Sequence, residues 1–241
     1  MTTATLDAGG NFRIGNVLGR AMEICVANFP FFFVVTFIVA LPNLLLLREQ
    51  TQPPTFQWSM LFAILLAIVL NTIGQAVILR GAFQQLRGRP LNVGEAVQKG
   101  LARFFPILGL ALLYGLGLGV AFLLLVVPFF IVGTMWAVAL PACVVEELGP
   151  TASLGRSRSL TKGYRWKIFW IMLLLLIVSA IVGGVIRLVL APMGFMVAAF
   201  GSIIWTAIWA AYWNCVLIMI YHDLRVAKEG VDTAEIAAVF D

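Results

Sequence analysis

The fold of this chain is decided by residues 104–146, which read FFPILGLALLYGLGLGVAFLLLVVPFFIVGTMWAVALPACVVE. No charged residue occurs in this 43-residue stretch before Glu146. A helix that crosses the hydrocarbon core of a bilayer, roughly 30 Å thick, needs about 20 residues. The stretch is about twice that length, so it predicts two membrane-spanning helices with a turn near Val127 and Pro128.

Four further apolar runs of single-span length lie at about 29–47, 57–79, 168–191 and 195–221. The whole chain of 241 residues is 62% hydrophobic and 11% charged, with a mean hydropathy of +1.02. Soluble domains carry roughly 25% charged residues, so the bilayer is the expected solvent. The sequence therefore predicts an all-α, polytopic integral membrane protein with six transmembrane helices.

The distribution of Lys and Arg tests this number of crossings. If residues 1–28 are cytoplasmic, all of the 16 Lys and Arg residues except Arg48 and Arg187 fall on the cytoplasmic side. A single crossing in residues 104–146 would put the basic clusters at 80–103 and 156–167 on opposite sides, against the positive-inside rule. The charges thus predict a membrane protein with both termini on the cytoplasmic side, and they explain the net charge of +5 without a nucleic-acid partner.

A weak internal repeat supports the same topology. Each predicted pair of spans follows an amphipathic or basic segment, at 12–28, 91–104 and 151–167. The first two segments place apolar residues at helical spacing, which is typical of short helices in the headgroup plane. Asn92 with Glu95, and Asp232 with Glu235, have the spacing of capping boxes. The pattern predicts three parallel-repeat hairpins with short cytoplasmic interfacial helices.

The domain organisation follows from these segments. We expect a disordered N-terminus at 1–11, a six-helix membrane domain at 12–222 and a cytoplasmic tail with a short helix at 223–241. No cleavable signal peptide is expected, because the first apolar run begins only near residue 29. The three cysteines lie in apolar stretches without a CxxC pair, which predicts small buried hydrophobes and neither a disulfide framework nor a metal site. They are Cys25, Cys143 and Cys215.

Two stretches carry a family resemblance: PACVVEELGPTASLGRSRSLTKGYRWKIF at 141–169 and YHDLRVAKEGVDTAEIAAVFD at 221–241. They resemble a prokaryotic family of polytopic membrane proteins labelled the membrane domain of glycerophosphoryl diester phosphodiesterase. The matching motifs are Glu146/Glu147 with Gly149-Pro150, then Arg158-Ser159 or Arg156-Ser157 before Leu160-Thr161-Lys162-Gly163, and Asp223-Leu224-Arg225 with Glu229-Gly230. The resemblance covers the whole chain in topology and its last hundred residues in motifs.

The family label does not imply hydrolysis by this chain. In some relatives the membrane module precedes a soluble phosphodiesterase barrel that uses paired histidines and carboxylates around a divalent metal. This sequence has one histidine and no room for such a barrel. We therefore do not expect phosphodiesterase activity.

The basic segment and the tail are candidate contact surfaces. The segment interleaves its cations with Tyr164, Trp166 and Trp170, which suits either a site for anionic lipid or partner contact or a topology signal with an aromatic belt. Its cations are Arg156, Arg158, Lys162, Arg165 and Lys167. The tail residues Asp223, Arg225 and Glu229 predict either a docking surface for a partner or ion pairs with the basic segment, for example between Asp223 and Arg158.

Polar residues within the spans are a second candidate. Asn71, Gln75 and Asn214 predict hydrogen bonds across helices or, alternatively, a polar substrate path. No Asp, Glu, Lys or Arg occurs in the middle of a predicted span, which weighs against a proton- or sodium-coupled transporter. His222 at the end of the last span is expected to hydrogen-bond a neighbour rather than to act as an acid or base.

A row of tryptophans and a glycine motif within the spans are the last candidate contact surfaces. Trp205, Trp209 and Trp213 share one face of the last span, which predicts either ordinary packing or a wall for a hydrophobic ligand or partner helix. Gly115 and Gly119 form a GxxxG motif with Gly117 between them, which favours close helix contact within the chain or between copies.

No catalytic triad, phosphate-binding loop or metal cluster is present in the sequence. We therefore predict a non-enzymatic integral membrane module without a cofactor, which binds membrane lipids or joins a larger membrane protein complex as an accessory or scaffold subunit. A second copy of the same chain is included among the expected partners. The alternative is a small transporter or channel with a path near Asn71, Gln75 and Asn214, and a membrane enzyme acting on lipids ranks third.

Overall fold

The computed structural model describes residues 12–42, 58–86, 92–124 and 126–230, and among them every regular element is helical, with no strand. The α-helices are α1 (Ile14–Ala27), α2 (Phe29–Ala40), α3 (Trp58–Leu86), α4 (Val93–Ala102), α5 (Phe104–Leu124), α6 (Val126–Met135), α7 (Ala139–Val145), α8 (Pro150–Thr161), α9 (Arg165–Leu190) and α10 (Phe195–Glu229). A short 3₁₀ turn at Ala191–Met193 joins α9 to α10. The all-α prediction is confirmed for these residues.

Several of these helices can cross a membrane. Five described helices are long and apolar enough: Leu61–Leu86, Phe104–Leu124, Val127–Val145, Arg165–Met193 and Phe195–Glu229. The pair α1 and α2 bends by 88°, and it brings the number to six if the pair counts as one span. The chain is thus built as a multi-pass membrane protein. Residues 43–47, which end the first predicted span at 29–47, lie outside the described residues.

The decisive stretch folds back on itself as predicted. Its helices α5 and α6 pack antiparallel, since the ring of Trp136 covers Gly117 while Phe122 meets Phe129 at 5.9 Å between ring centroids. The connection falls between residues 124 and 126, close to the predicted turn. The returning span is interrupted at residues 136–138, between α6 and α7.

The last two long helices also form an antiparallel pair. Trp205 of α10 lies on Gly183 of α9, where a Cβ would stand 3.1 Å from the indole nitrogen. Leu190 fills the corresponding space beside Gly201. Gly194 turns the chain between them with φ of +103°, a conformation that favours glycine. Small residues therefore set the close approach of α9 and α10.

Two of the predicted amphipathic helices are present. Helix α1 buries Val17, Ala21 and Cys25 and packs against α10. It is held there by the hydroxyl of Tyr212, which donates to the Leu18 carbonyl at 3.3 Å. The chain then turns at Asn28 into α2. Helix α1, which the sequence predicts to lie in the headgroup plane, is thus attached to α10.

Helix α4 presents its apolar side away from the protein. Gly100 faces Val77 of α3, whereas Val93, Val97 and Leu101 are exposed. The Asn92 side chain caps the helix by accepting from the Glu95 amide at 3.1 Å, as the capping box predicts. The second predicted box, Asp232 with Glu235, lies outside the described residues.

Helix α8 departs from the predicted interfacial position. It packs against α5, α6, α7 and α10 and buries a side formed by Ser153, Ser157, Leu160 and Thr161. The mainly basic composition of this segment suggested a surface helix. Instead, the small side chains of Ser157 and Thr161 let α8 pack closely against the bundle. Their hydroxyls donate hydrogen bonds to the break between α6 and α7.

The two predicted basic clusters lie at the same end of the bundle. Arg80 and Arg103 of the first cluster both contact residues 143–148, the segment that leads into α8 with Arg156. We call this end, formed by α1, α4, α8 and the last turns of α3 and α10, the basic end. Residues 223–229, predicted as the start of a tail, continue α10 as helix.

The protein core is concentrated toward the basic end. Fully buried side chains there include Leu79, Leu160, Ile168, Ile220 and Tyr221. The remote parts of α5, α6, α9 and α10, which we call the outer half, are largely uncovered: Leu123 is 85% exposed and Leu188 is 76% exposed. The packing is therefore uneven along the bundle.

Candidate functional site

The basic end is held by an ion-pair cluster that we call the Glu146 network. Arg156 Nε lies 2.9 Å from both carboxylate oxygens of Glu146, and the Tyr221 hydroxyl donates to Glu146 at 2.7 Å. Arg156 also pairs with Glu229 at 2.5 Å, and Arg225 pairs with Glu229 at 3.1 Å. The network joins the two stretches that carry the family resemblance.

The Glu146 network holds α8 against α10, because Arg156 of α8 pairs with Glu229 of α10. The hydrogen bond to Glu229 raises the pKa of the Arg156 guanidinium above its ordinary value, and Glu146 raises it further, against the opposing effect of burial. Arg156 therefore stays charged, with only 24% of its side chain exposed. Partly buried charges need such partners, because an unpaired one would be strongly unfavourable.

Two further arginines satisfy the end of α7. Arg80 donates to the Val144 carbonyl at 3.1 Å and pairs with Glu147 at 2.8 Å. Arg103 donates to the carbonyl of Cys143 at 3.2 Å and to that of Leu148. The last carbonyls of a helix lack partners within it, and cations are favourable there. Both arginines thus stabilise the turn that follows α7.

The break between α6 and α7 is satisfied by α8. The Met135 carbonyl accepts from the hydroxyls of Ser157 at 2.9 Å and Thr161 at 3.1 Å, and the Val138 amide donates to Ser157 at 3.3 Å. Unsatisfied backbone groups are costly inside a bilayer. These two hydroxyls, which belong to a family-like motif, therefore allow the span to be interrupted.

The predicted lipid-contact cations are divided by the structure. Arg156 belongs to the Glu146 network, Arg165 is half-buried, and Lys167 donates to the Phe12 carbonyl at 3.0 Å. Arg158 and Lys162 are exposed, and neither has an ion pair among the described residues. Trp166 and Trp170 are exposed beside them, at 75% and 56%. Only part of the segment is therefore free to meet a headgroup.

The tail residues pair within the chain. Arg225 and Glu229 belong to the Glu146 network, and Lys228 donates to the Ser159 carbonyl at 3.1 Å. Asp223 lies 3.5 Å from Arg20 of α1 rather than against Arg158, and its other neighbour is His222 at 3.3 Å. These contacts fasten the end of α10 to both α1 and α8.

A cavity of about 520 Å³ lies between α3, α5, α10 and the junction of α6 with α7. Its polar lining comes from Asn71, Thr72 and Gln75 of α3, Tyr114 of α5, Trp136 at the junction and Trp213 of α10. The rest of the lining is aliphatic or Met, and none of the described residues that line it is charged. The arrangement is that of an apolar ligand site with a few polar groups.

The cavity lies about halfway along the bundle and opens sideways. Asn71 precedes Arg80 of the basic end by nine residues, which is about 14 Å along a helix axis. This depth is close to the middle of a hydrocarbon core of roughly 30 Å. Ile68 and Ala111 at its rim are exposed, on the neighbouring helices α3 and α5. The opening thus faces the region that lipid chains would occupy.

A smaller cavity of about 120 Å³ adjoins the first and shares Asn71, Gln75 and Trp213 with it. Asn214 also lines it, so the three predicted intramembrane polar residues are brought together. Their hydrogen bonds run within one helix, from Gln75 to Asn71 and from Asn214 to the Ala210 carbonyl, and not across helices as predicted. The Asn214 side-chain oxygen is buried and has no partner among the described residues. Unused hydrogen-bonding capacity therefore remains beside the cavities.

The predicted Trp face serves two purposes. Trp205 stacks on Trp209 at 5.4 Å between centroids and packs against α9, whereas Trp213 lines both cavities. In the GxxxG motif, a Cβ at Gly115 or Gly119 would meet no atom within 4 Å, so these glycines are not used for contact among the described residues. The intervening Gly117 receives Trp136 instead.

Sequence reasoning missed Tyr114 and Trp136 as cavity residues. Their rings lie 6.0 Å apart between centroids and form the wall opposite Asn71 and Gln75. Tyr114 is the single tyrosine in residues 104–146, and such an isolated hydroxyl in an apolar run was an available signal. No spacing rule connects it to residues of α3.

No protein-family model, curated protein or solved structure matches this chain. The resemblance to the phosphodiesterase membrane-domain family accordingly stays a prediction. The cavity and the basic end are the structural features that bear on function.

Proposed function

We propose that this chain is a non-enzymatic integral membrane module that binds a lipid-like molecule in the cavity between α3, α5 and α10. The observation that supports it is a mainly apolar cavity halfway along the spans with a sideways opening. Its volume falls within the range of small-molecule sites, roughly 300–1,000 Å³. A ligand could enter from the bilayer without crossing water.

The state of the ionisable groups at the basic end supports a structural rather than a catalytic role for them. The oxygens of Glu146 accept from Arg156 and Tyr221, and Arg80 and Arg103 are bound to backbone carbonyls. Groups that already neutralise one another are poorly placed to react with a substrate. We assign them to holding the helices that enclose the cavity.

We further propose six spans in three hairpins in a bacterial cytoplasmic membrane, with both termini inside, as in the family that the sequence resembles. The gathering of Arg80, Arg103 and Arg156 at one end supports an even number of crossings. Arg187 lies 22 residues beyond Arg165 on α9, about 33 Å away along the axis, as expected for the opposite surface. Labelling of single cysteines at residues 99 and 158 tests this, and labels on opposite leaflets would overturn it.

Filling the cavity tests lipid binding. Ala111→Phe would occupy the rim, and Leu112→Phe on the outward side of the same helix is the matched control. We expect native mass spectrometry to find a retained lipid in the wild type and the control, and roughly tenfold less in Ala111→Phe. Equal retention in all three proteins would contradict a ligand in this cavity.

Association with other membrane subunits is a second part of the proposal, and the uncovered outer half supports it. Purification in mild detergent with chemical cross-linking would reveal such partners or self-association. A chain that remains monomeric and uncross-linked in native membranes would argue against this part and leave lipid binding untouched.

The alternative of a small transporter or channel is favoured by one specific observation. Asn71 and Gln75 line both cavities, and Asn214 adds an unpaired oxygen to the second. Together these three side chains would provide polar contacts for a solute that passes between the two cavities. Solute flux into proteoliposomes that falls in Asn71→Leu would favour this function, and absence of flux for small neutral and ionic solutes would exclude it.

A further inference from the structure

The geometry points to an uncharged amphiphile as the ligand of the larger cavity: an apolar chain that ends in a neutral head that both donates and accepts hydrogen bonds, such as an alcohol or an amide. This inference rests on the proposed lipid binding and adds the class of the ligand. It follows from three features of the lining, namely the unused capacity of an amide pair, the engagement of the nearby cations, and the shape of the apolar remainder.

The amide pair presents both a donor and an acceptor. Gln75 Nε2 donates to Asn71 Oδ1 one turn earlier on α3. This bond leaves the Asn71 amide hydrogens and the Gln75 carbonyl oxygen without a partner among the described residues. Both side chains line the cavity. A hydroxyl or amide head could therefore donate to Gln75 and accept from Asn71 at the same time.

The charged groups nearest to this pair are already engaged. Arg80 follows Gln75 by five residues, about 7.5 Å along α3, and it is bound to Val144 and Glu147. Arg103 precedes the lining residue Ile107 by one turn and is bound to the carbonyls of Cys143 and Leu148. An anionic head in the cavity would thus find no free cation, and a cationic head would find no carboxylate in the described lining.

The cost of burial decides between a neutral and a charged head. A charge taken into an apolar environment without a partner loses far more free energy than a hydroxyl or an amide does. A neutral head regains most of its loss through two hydrogen bonds to the amide pair. The site should consequently discriminate by head charge, although the chains of different lipids are alike.

The remaining lining suits an alkyl chain. Ile64, Leu110, Met172 and Leu217 provide aliphatic and thioether surface, and Met adapts its shape readily. The ring faces of Trp136 and Trp213 add flat apolar surface. The exposed rim at Ile68 lets the chain continue toward the bilayer. The head therefore lies at the amide pair and the chain points outward.

Three probes of equal chain length test the head preference: hexadecanol, hexadecyl sulfate and hexadecyltrimethylammonium. Binding to delipidated protein is measured by native mass spectrometry and by quenching of tryptophan fluorescence with brominated analogues. We expect hexadecanol to bind at least about tenfold more tightly than either charged probe, because the charged heads are not compensated. Equal or tighter binding of a charged probe would overturn the inference.

Substitution of the amide pair tests its role. In Asn71→Leu/Gln75→Leu, hexadecanol affinity should fall about tenfold, to that of hexadecane. Ser202→Ala removes a polar side chain elsewhere in the spans, a hydroxyl that is bonded within its own helix, and should keep the wild-type preference. Should the double variant fail to fold, Gln75→Glu replaces it, and we expect that variant to prefer the ammonium probe. A preference unchanged by both variants would refute the role of the pair.

The outcomes separate this inference from the function on which it rests. If Ala111→Phe abolishes binding of all three probes but the wild type shows no head preference, lipid binding stands and the neutral-head inference fails. If Ala111→Phe binds every probe as the wild type does, the cavity is not the site and both proposals fail.

Discussion

The basic end and the outer half of this bundle are stabilised by different means. In α10, which runs through both, residues 214–222 are buried, whereas Phe195, Met196 and Phe200 are exposed. At the basic end, Arg156 pairs with Glu146, and the Ser157 hydroxyl donates to the Met135 carbonyl. In the outer half, aliphatic side chains such as Leu123 and Leu188 project outward.

The difference teaches where a membrane protein of this kind can gain stability. Lipid chains are as apolar as leucine, so burying an aliphatic side chain of the outer half against another helix gains little. Polar groups and broken helices, in contrast, need specific partners in the bilayer. We therefore expect substitutions at the basic end to be costly and similar substitutions in the outer half to be tolerated.

The largest contrast should come from two leucines. Leu160→Ala at the buried side of α8 should lower stability by about 2–4 kcal/mol, because it leaves a cavity in a packed core. Leu188→Ala in the outer half should change it by less than about 0.5 kcal/mol. Thermal unfolding in mild detergent compares the two. Equal losses would show that both regions are packed against protein and would contradict the comparison.

Two arginines of α8 should differ almost as much. Arg156→Ala should cost about 2–3 kcal/mol, since Glu146 and Glu229 lose their shared cation. Arg158→Ala, two residues along and exposed, should cost less than about 0.5 kcal/mol. The same unfolding measurement decides, and a costly Arg158 with a neutral Arg156 would contradict the assigned network.

The helix break should depend on its two hydroxyls. Ser157→Ala combined with Thr161→Val leaves the Met135 carbonyl without either donor, which should cost about 1–3 kcal/mol. Ser159→Ala removes an exposed hydroxyl that bonds only within α8 and serves as the control. Hydrogen exchange at residues 136–138 should increase in the double variant alone. Unaltered exchange there would mean that the break is satisfied in another way.

The smallest effect should be the coupling between α1 and the end of α10. In a double-mutant cycle, Arg20→Ala and Asp223→Ala should couple by about 0.5 kcal/mol, as for a partly exposed pair. Arg158→Ala with Asp223→Ala should be additive, in contrast to the pairing that the sequence suggested. Coupling in the second cycle and none in the first would restore the sequence-based assignment.

Physical constraints of the bilayer made much of the fold predictable. Its thickness converts the length of residues 104–146 into two helices, and the spacing of apolar residues predicts α1 and α4. The position of α8 was not predictable, because a basic, hydroxyl-rich segment looks like a surface helix when the broken helix that it serves is unknown. One signal was present: in an unbroken helix Pro141 would clash with the carbonyl of residue 137, which lies in the break at residues 136–138.

The candidate site was predictable in part for a similar reason. Asn71, Gln75, Asn214 and Trp213 stand out because polar and indole groups are rare in the middle of spans. Tyr114 and Trp136 come from other helices, and only the tertiary packing brings them to the same cavity. The choice between Arg156 and Arg158 depends on which side of α8 faces the bundle, and the flanking residues give both arginines similar surroundings in the sequence.

The attachment of α1 to α10 has a consequence for how the chain is made. The contacts of Leu18 with Tyr212 and of Arg20 with Asp223 join residues that are about two hundred positions apart. During synthesis α1 emerges long before α10, so its contacts with α10 cannot form until α10 has been inserted. Among the described helices α10 is the last to be synthesised, so the contacts that hold α1 can form only after α10 has been translated.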